Sequence, residues 1–143
     1  MKTKFEVLKE IFEIKVPFNR LLGIRADSLE RGKVVFSLPF REELIGDSRR
    51  PAIHGGVIST LMDTAGGAAT WTELEEGDQV STVDLLVDYL LPGGKGKLTA
   101  EASVIRIGNR VAVTQIVVYQ EGIKEPIASG RAVYNIIRSQ KTE

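Results

Sequence analysis

The chain has no cysteine and a single histidine among its 143 residues. These scarcities remove disulfides, thiolate nucleophiles and cysteine-ligated metals, and a zinc site would need several carboxylates at a spacing the sequence does not offer. No metal or redox cofactor is expected. An excess of charge of one sign is also lacking, since 19 basic and 19 acidic residues give a formal net charge of zero. No basic run resembles a nucleic-acid footprint or a polybasic membrane anchor, so neither nucleic acid nor membrane is an expected partner. The segment from Met1 to Lys15 alternates charged with apolar residues and holds neither an unbroken hydrophobic stretch nor a small-residue cleavage site. It does not read as a secretory signal, and a cytoplasmic protein is the expectation. With 43% hydrophobic residues, a chain of this length supports one core and leaves little for a second module.

Periodicity orders the chain. Phe5, Leu8, Ile11 and Phe12 recur at helical spacing between Lys and Glu, and Pro17 ends the pattern. This predicts an amphipathic helix from about Lys4 to Lys15 lying on the domain surface, so that residues 1–17 are a helical lead-in to a domain of residues 18–140. Ile24 to Glu30 and Lys33 to Leu38 flank Arg31-Gly32 as a hairpin, and Arg41 to Ala52 reads as a loop. After a long, nearly uncharged helix come four strand-like runs: Gln79 to Leu91, Gly96 to Ile107, Arg110 to Glu121 and Pro126 to Ile137. Their short connections predict sequential antiparallel pairing, and the doubly apolar run from Val111 to Tyr119 predicts that a partner chain covers part of the sheet. One antiparallel sheet must wrap the apolar helix to bury it, giving an α+β fold.

That helix carries the chemistry. Between His54 and Trp71 its one carboxylate is Asp63. At about 100° per residue, Gly56, Ser59, Thr60, Gly66, Gly67 and Thr70 share Asp63's side, while Val57, Ile58, Leu61, Ala65, Ala68 and Ala69 fall opposite. The small, polar stripe is suited to a second backbone or a ligand channel. Val57, Leu61 and Met62, off that stripe, are the expected apolar lining of a pocket, with loop and first-helix residues. The alternative is a close packing contact at Gly66-Gly67 and a carboxylate that bonds backbone N–H groups. At the helix start, the N–H groups of Gly55 and Gly56 and the positive end of the dipole suit an oxyanion. His54 is weighed there as a capping residue or a base. At about 1.5 Å rise per residue, Asp63 lies about 13 Å from His54 and about 10 Å from Gly56 along the axis. One subunit cannot bring these groups to one reacting atom, so an active site here would be completed by a second subunit. Asp84 and Asp88 lie about 13 Å apart on one strand face, too far for a carboxylate pair. Arg106, Gly108, Asn109 and Arg110 form a hairpin turn, either solvated or touching a nucleotide phosphate.

His54-Gly55-Gly56 followed by Asp63, Ser81-Thr82-Val83-Asp84-Leu85 with Asp88-Tyr89-Leu90 and Pro92-Gly93, and Arg106-Ile107-Gly108-Asn109-Arg110 together resemble the hotdog-fold acyl-CoA thioesterases of the phenylacetyl-CoA and 4-hydroxybenzoyl-CoA type. The resemblance runs from about Phe18 to Ile137. It implies a sheet wrapped around the central helix, homodimers joined edge to edge and dimers of dimers. By this likeness Asp63 is the nucleophile or general base, the Gly56 N–H of the other subunit binds the carbonyl oxygen, and His54 positions the thioester or the leaving thiolate. Substrate contacts fall on Gly55, Ser48, Thr60, Thr82 and Tyr89, with Arg106, Gly108, Asn109 and Arg110 at the CoA moiety. Some family members carry Asn and Gly six and three residues before the histidine. Here those positions are Ser48 and Pro51, which leaves no Asn to assist a water.

The implied activity is hydrolysis of an acyl-CoA, or of an acyl-carrier-protein thioester, with CoA as part of the substrate. A rival is an acyl-CoA sensor that binds without cleaving, although a gene-acting sensor would need a DNA-reading module that this chain does not supply. A dehydratase would need a His–Asp pair, which His54 and Asp63 form only across subunits.

Overall fold

A computed structural model of the protein describes residues 1–140. The N-terminal segment is helical but broken. Helix α1 (Lys4–Glu10) opens with a capping box in which Thr3 and Glu6 satisfy each other's backbone N–H groups. It continues as a single wide π-helical turn (Ile11–Lys15), and Pro17 then begins helix α2 (Pro17–Leu22). The sequence predicts a helix ended by Pro17. In the structure proline serves instead as the first residue of a new helix, where its missing N–H costs nothing. Leu8 and Phe12 are buried, and the Phe12 ring meets Phe36 edge-on with centroids 5.5 Å apart. The buried Asn19 amide donates to the Phe12 carbonyl at 3.0 Å, satisfying a group left free where the helix widens.

Strands β1 (Arg25–Glu30) and β2 (Lys33–Leu38) form the expected hairpin. The segment read as a loop holds more order than its irregular pattern suggests: a 3₁₀ turn (Glu42–Leu44) and a small ribbon of β3 (Ile45–Asp47) and β4 (Ala52–Ile53). Helix α3 (Gly55–Trp71) follows, then β5 (Gln79–Tyr89), β6 (Leu98–Ile107), β7 (Val111–Gln120) and β8 (Ala128–Ile137).

The sheet order is β1-β2-β6-β7-β8-β5, with every neighbouring pair antiparallel. Three of the four late strands pair sequentially as expected. The exception is β5, which pairs with β8 rather than β6 and stands at the sheet edge. The connection after β5 is no tight turn. Leu90 and Leu91 donate to the Ile127 carbonyl, the Gly93 carbonyl accepts from Ile53, and β6 enters beside β2 instead. Because Pro92 has no N–H, it suits a crossing segment of this kind better than a ladder.

The sheet curls around α3, which packs against β2, β5, β6, β7 and β8. Leu61, Met62, Ala65, Ala68 and Ala69 are fully buried with Phe36, Leu98, Ile116 and Tyr134. Small residues in the second half of the helix let the sheet close round it, so burial there reaches Gly66 and Thr70 on the polar stripe as well. The chain is therefore an α+β hotdog: one antiparallel sheet wrapped around a central helix.

Candidate active site

His54 caps α3. Its Nδ1 accepts the Gly56 N–H at 2.8 Å, which fixes the proton of a neutral ring on Nε2. The sequence offered Gly56 as an oxyanion donor, and in this chain its N–H is engaged by its own neighbour. The Thr60 and Ser59 hydroxyls both donate back to the Gly56 carbonyl, at 2.7 and 3.1 Å. Tyr89 reaches over from β5 and donates to the Gly55 carbonyl at 3.1 Å. Ser48 lies with Arg49, His54 and Gly55 around an open hollow of about 540 Å³.

Two turns further along α3, half-buried Asp63 points towards β5. Thr82 donates to its Oδ1 at 2.9 Å. The Tyr134 hydroxyl donates to the Asp63 main-chain carbonyl at 2.8 Å and lies 3.3 Å from the same Oδ1. No donor reaches Oδ2 among the described residues. Burial, and then the Asp63 charge beside it, push the Tyr134 phenol well above its ordinary value of 10.0, with the Thr114 hydroxyl and the Gly67 N–H opposing this only in part. It remains a proton donor at neutral pH.

Strand β5 owes its placement to one extra residue. The pairing with β8 shifts between Thr82 and Asp84, leaving Val83 bulged out and 64% exposed. Thr82 and Tyr89 are seven apart and would face opposite sides of a regular strand. The bulge flips the phase, so both side chains face α3 while Asp84, Leu86 and Asp88 face outward. The outer edge of β5 has no strand beside it and shows Val83, Leu86, Tyr89 and Leu90, each more than half exposed.

The structure decides how the small stripe and its apolar neighbours are used. The small stripe faces no second helix at Gly66, where a Cβ would come within 2.4 Å of the Tyr134 hydroxyl oxygen and 2.8 Å of Thr114 Oγ1. It is a close packing contact with the sheet, the alternative weighed above. The sequence predicts Leu61 and Met62 as an apolar lining, but the curled sheet covers them completely and they are core. Arg106, Gly108, Asn109 and Arg110 are exposed; the last three lie beyond the rung that aligns Thr82, Tyr134 and Ala112, and Arg106 pairs with Val113 one rung inside it. Among the described residues no hydrogen bond joins them to Asp63, whose side chain meets Thr82 and Tyr134, and the Gly108 and Asn109 carbonyls accept from Arg138. Tyr134 escaped the sequence reading because, within an alternating strand, it is indistinguishable from a core aromatic. The trace it left was Gly66 in the middle of a helix, a residue that needs a close neighbour to account for it.

The sequence profile of the Thioesterase superfamily matches residues 51–127, more than half of the chain. The medium/long-chain acyl-CoA thioesterase YigI of Salmonella typhimurium is 32% identical over 144 residues, spanning 92% of each protein. Among solved structures, a thioesterase family protein from Silicibacter pomeroyi superposes with a TM-score of 0.84 at 25% identity, covering 92% of this chain and 97% of that one. Thioesterase HI1161 from Haemophilus influenzae gives 0.80 at 26% identity, covering 96% and 92%. The chain belongs to the hotdog-fold thioesterase superfamily and is a thioester hydrolase. Among the described residues no helix is long and apolar enough to cross a membrane.

Proposed function

We propose that the protein hydrolyses an acyl-CoA to the free acid and CoA, with Asp63 as the reacting carboxylate and the start of α3 from a second subunit as the carbonyl-binding end. The observation that carries this reading is the state of Asp63. Its Oδ1 is held by Thr82 while, among the described residues, nothing bonds Oδ2 and no strand lies beside the edge of β5. Either role closes chemically. As nucleophile, Oδ2 adds to the thioester carbonyl, the C–S bond breaks, and water then cleaves the acyl-aspartyl anhydride. As base, Asp63 takes the proton of the attacking water and delivers it to the departing thiolate. In both, negative charge develops on the carbonyl oxygen, and the partner's helix start supplies N–H groups and a positive dipole there. The Gly56 N–H turns to that oxygen from His54, whose Nε2–H faces the thioester sulfur.

Asp63 and His54 are about 13 Å apart along one helix, so the site requires two chains. The exposed apolar edge of β5 is the surface proposed to join them, in dimers and dimers of dimers. Identity with a medium/long-chain acyl-CoA thioesterase makes acyl-CoAs of that length the first substrates to try. Arg106, Gly108, Asn109 and Arg110 are proposed to meet the CoA moiety, with no metal or cofactor required, in the cytoplasm.

The test is thiol release from short-, medium- and long-chain, benzoyl- and phenylacetyl-CoA by the parent and Asp63→Asn; a protein without cysteine adds no thiol background. The proposal expects turnover that falls ~100-fold or more in the variant. Acyl-CoA binding without turnover by the parent would replace the enzyme with a sensor.

A further inference from the structure

Tyr134 touches Asp63 in two places. Its hydroxyl donates to the main-chain carbonyl at 2.8 Å and stands 3.3 Å from the carboxylate Oδ1, so one rigid group holds both ends of the same residue. The phenol is itself immobile. It is 1% exposed, lies in β8 between β5 and β7, and stands across from Thr82 on one side and Ala112 on the other. The helix is shaped to admit it: Gly66 has no Cβ where one would lie 2.4 Å from the hydroxyl oxygen, and Gly67 passes the ring at ordinary contact distance. Thr114, fully buried, closes the far side. A phenylalanine would fill the same volume and sit on the same rung. The hydroxyl is therefore the part that needs explaining, because a buried polar group without a use is a cost.

We propose that Tyr134 is a positioning residue for thioester hydrolysis: its hydroxyl, seated in the gap at Gly66, fixes the Asp63 side chain against its own helix so that Thr82 and Tyr134 both hold Oδ1 and Oδ2 faces the substrate. The proposal rests on the reading of Asp63 as the reacting group. A single hydroxyl proton is shared between the carbonyl and Oδ1, so the contact sets orientation more than charge. A carboxylate free to rotate would place Oδ2 off the line of attack, and misplacement of a reacting atom by about 1 Å can cost 100-fold.

The experiment is Tyr134→Phe, alone and combined with Asp63→Asn, assayed as kcat and KM on the best acyl-CoA. The single variant is expected to lose ~10-fold or more in kcat with KM within about twofold of the parent, because substrate contacts are untouched. In the Asp63→Asn background, Tyr134→Phe is expected to cost nothing further, since the group it positions is gone. Parental kcat in Tyr134→Phe would overturn the inference, as would KM and kcat worsening together, or an undiminished further loss in the double variant. Thr82→Val serves as a second variant should Tyr134→Phe fold poorly. It removes the other donor to Oδ1 from an exposed strand position, and the same kcat-only loss is expected of it. An unchanged kcat there would contradict orientation by Oδ1. Activity surviving Asp63→Asn would defeat the underlying reading of Asp63, whatever Tyr134→Phe does.

Discussion

Two adjacent glycines in α3 are predicted to respond to alanine with opposite signs. At Gly66 a Cβ meets the Tyr134 oxygen at 2.4 Å, Thr114 Oγ1 at 2.8 Å and the ring carbon Cζ at 3.2 Å. All three belong to fully packed side chains, and α3 cannot retreat because the sheet wraps it. Overpacking of this kind costs about 1–3 kcal/mol and occasionally more, against a helix-propensity gain of up to about 1 kcal/mol for replacing glycine. The three short approaches place Gly66→Ala at the upper end, for a net loss of about 1–3 kcal/mol. At Gly67 the nearest atoms are Tyr134 Cε1 at 3.6 Å and Cζ at 4.0 Å, ordinary contacts, so Gly67→Ala keeps the propensity gain of about 0.5–1 kcal/mol. Unfolding entropy near 2.1 cal/mol/K per residue gives about 0.3 kcal/mol/K for the whole chain. Gly66→Ala should then lower Tm by about 3–10 °C, and Gly67→Ala should raise it by about 2–3 °C. Calorimetry or circular dichroism at matched protein concentration decides this, since an oligomer's Tm depends on concentration. Adding Tyr134→Phe to Gly66→Ala removes the worst clash and should recover part of the loss. A Gly66→Ala protein as stable as the parent, or a Gly67→Ala protein equally damaged, would refute the packing argument.

Two further outcomes follow from residues away from Asp63. Asp78 accepts the Ser139 N–H at 2.9 Å, the Glu75 N–H at 3.1 Å and an Arg138 N–H at 3.1 Å, and these bonds, the Ser139 one foremost, hold its carboxyl below the ordinary 3.8. A lowered folded value stabilises above the unfolded one and loses that stability as pH falls through it. Asp78→Asn should therefore lower Tm at neutral pH by an amount that shrinks only below about pH 4, and a gap unchanged down to pH 2 would contradict the assignment. Replacing Arg106 and Arg110 together by Ala should raise KM for acyl-CoA about 3–10-fold, the size expected of exposed ionic contacts, and leave thioesters of a short pantetheine arm unaffected; equal effects on both substrates would remove these residues from the CoA site.

The hairpin, the long helix and its lone carboxylate were legible because periodicity and turn chemistry are local. The order of the sheet was not. Strand β5 reads like its neighbours in composition, and only the crossing segment around Pro92-Gly93 sends it to β8 instead of β6. The same nonlocal pairing hid the site's supports. Thr82 stood out only through family resemblance, and Tyr134 not at all, since what joins them to Asp63 is a shared rung and a bulge at Val83. A bulge of one residue leaves no mark in an alternating pattern that already contains Val83, Leu85 and Val87. At the helix start, His54 was correctly weighed as a cap. The engagement of Gly56 by its Nδ1 is a matter of one side-chain rotation, which no sequence pattern encodes.

In the proposed reaction, Asp63 of one subunit acts on a thioester held at the helix start of another. Mixing two inactive variants tests it directly. Asp63→Asn and His54→Ala subunits, each expected to be nearly inactive alone, are dissociated, combined in equal amounts and reassembled. Random pairing makes about half the dimers mixed, and each mixed dimer has one site with both native groups, so activity should return to about a quarter of the parent's. Activity that stays at the level of the separate variants, with mixed dimers demonstrated by mass spectrometry, would contradict a shared site.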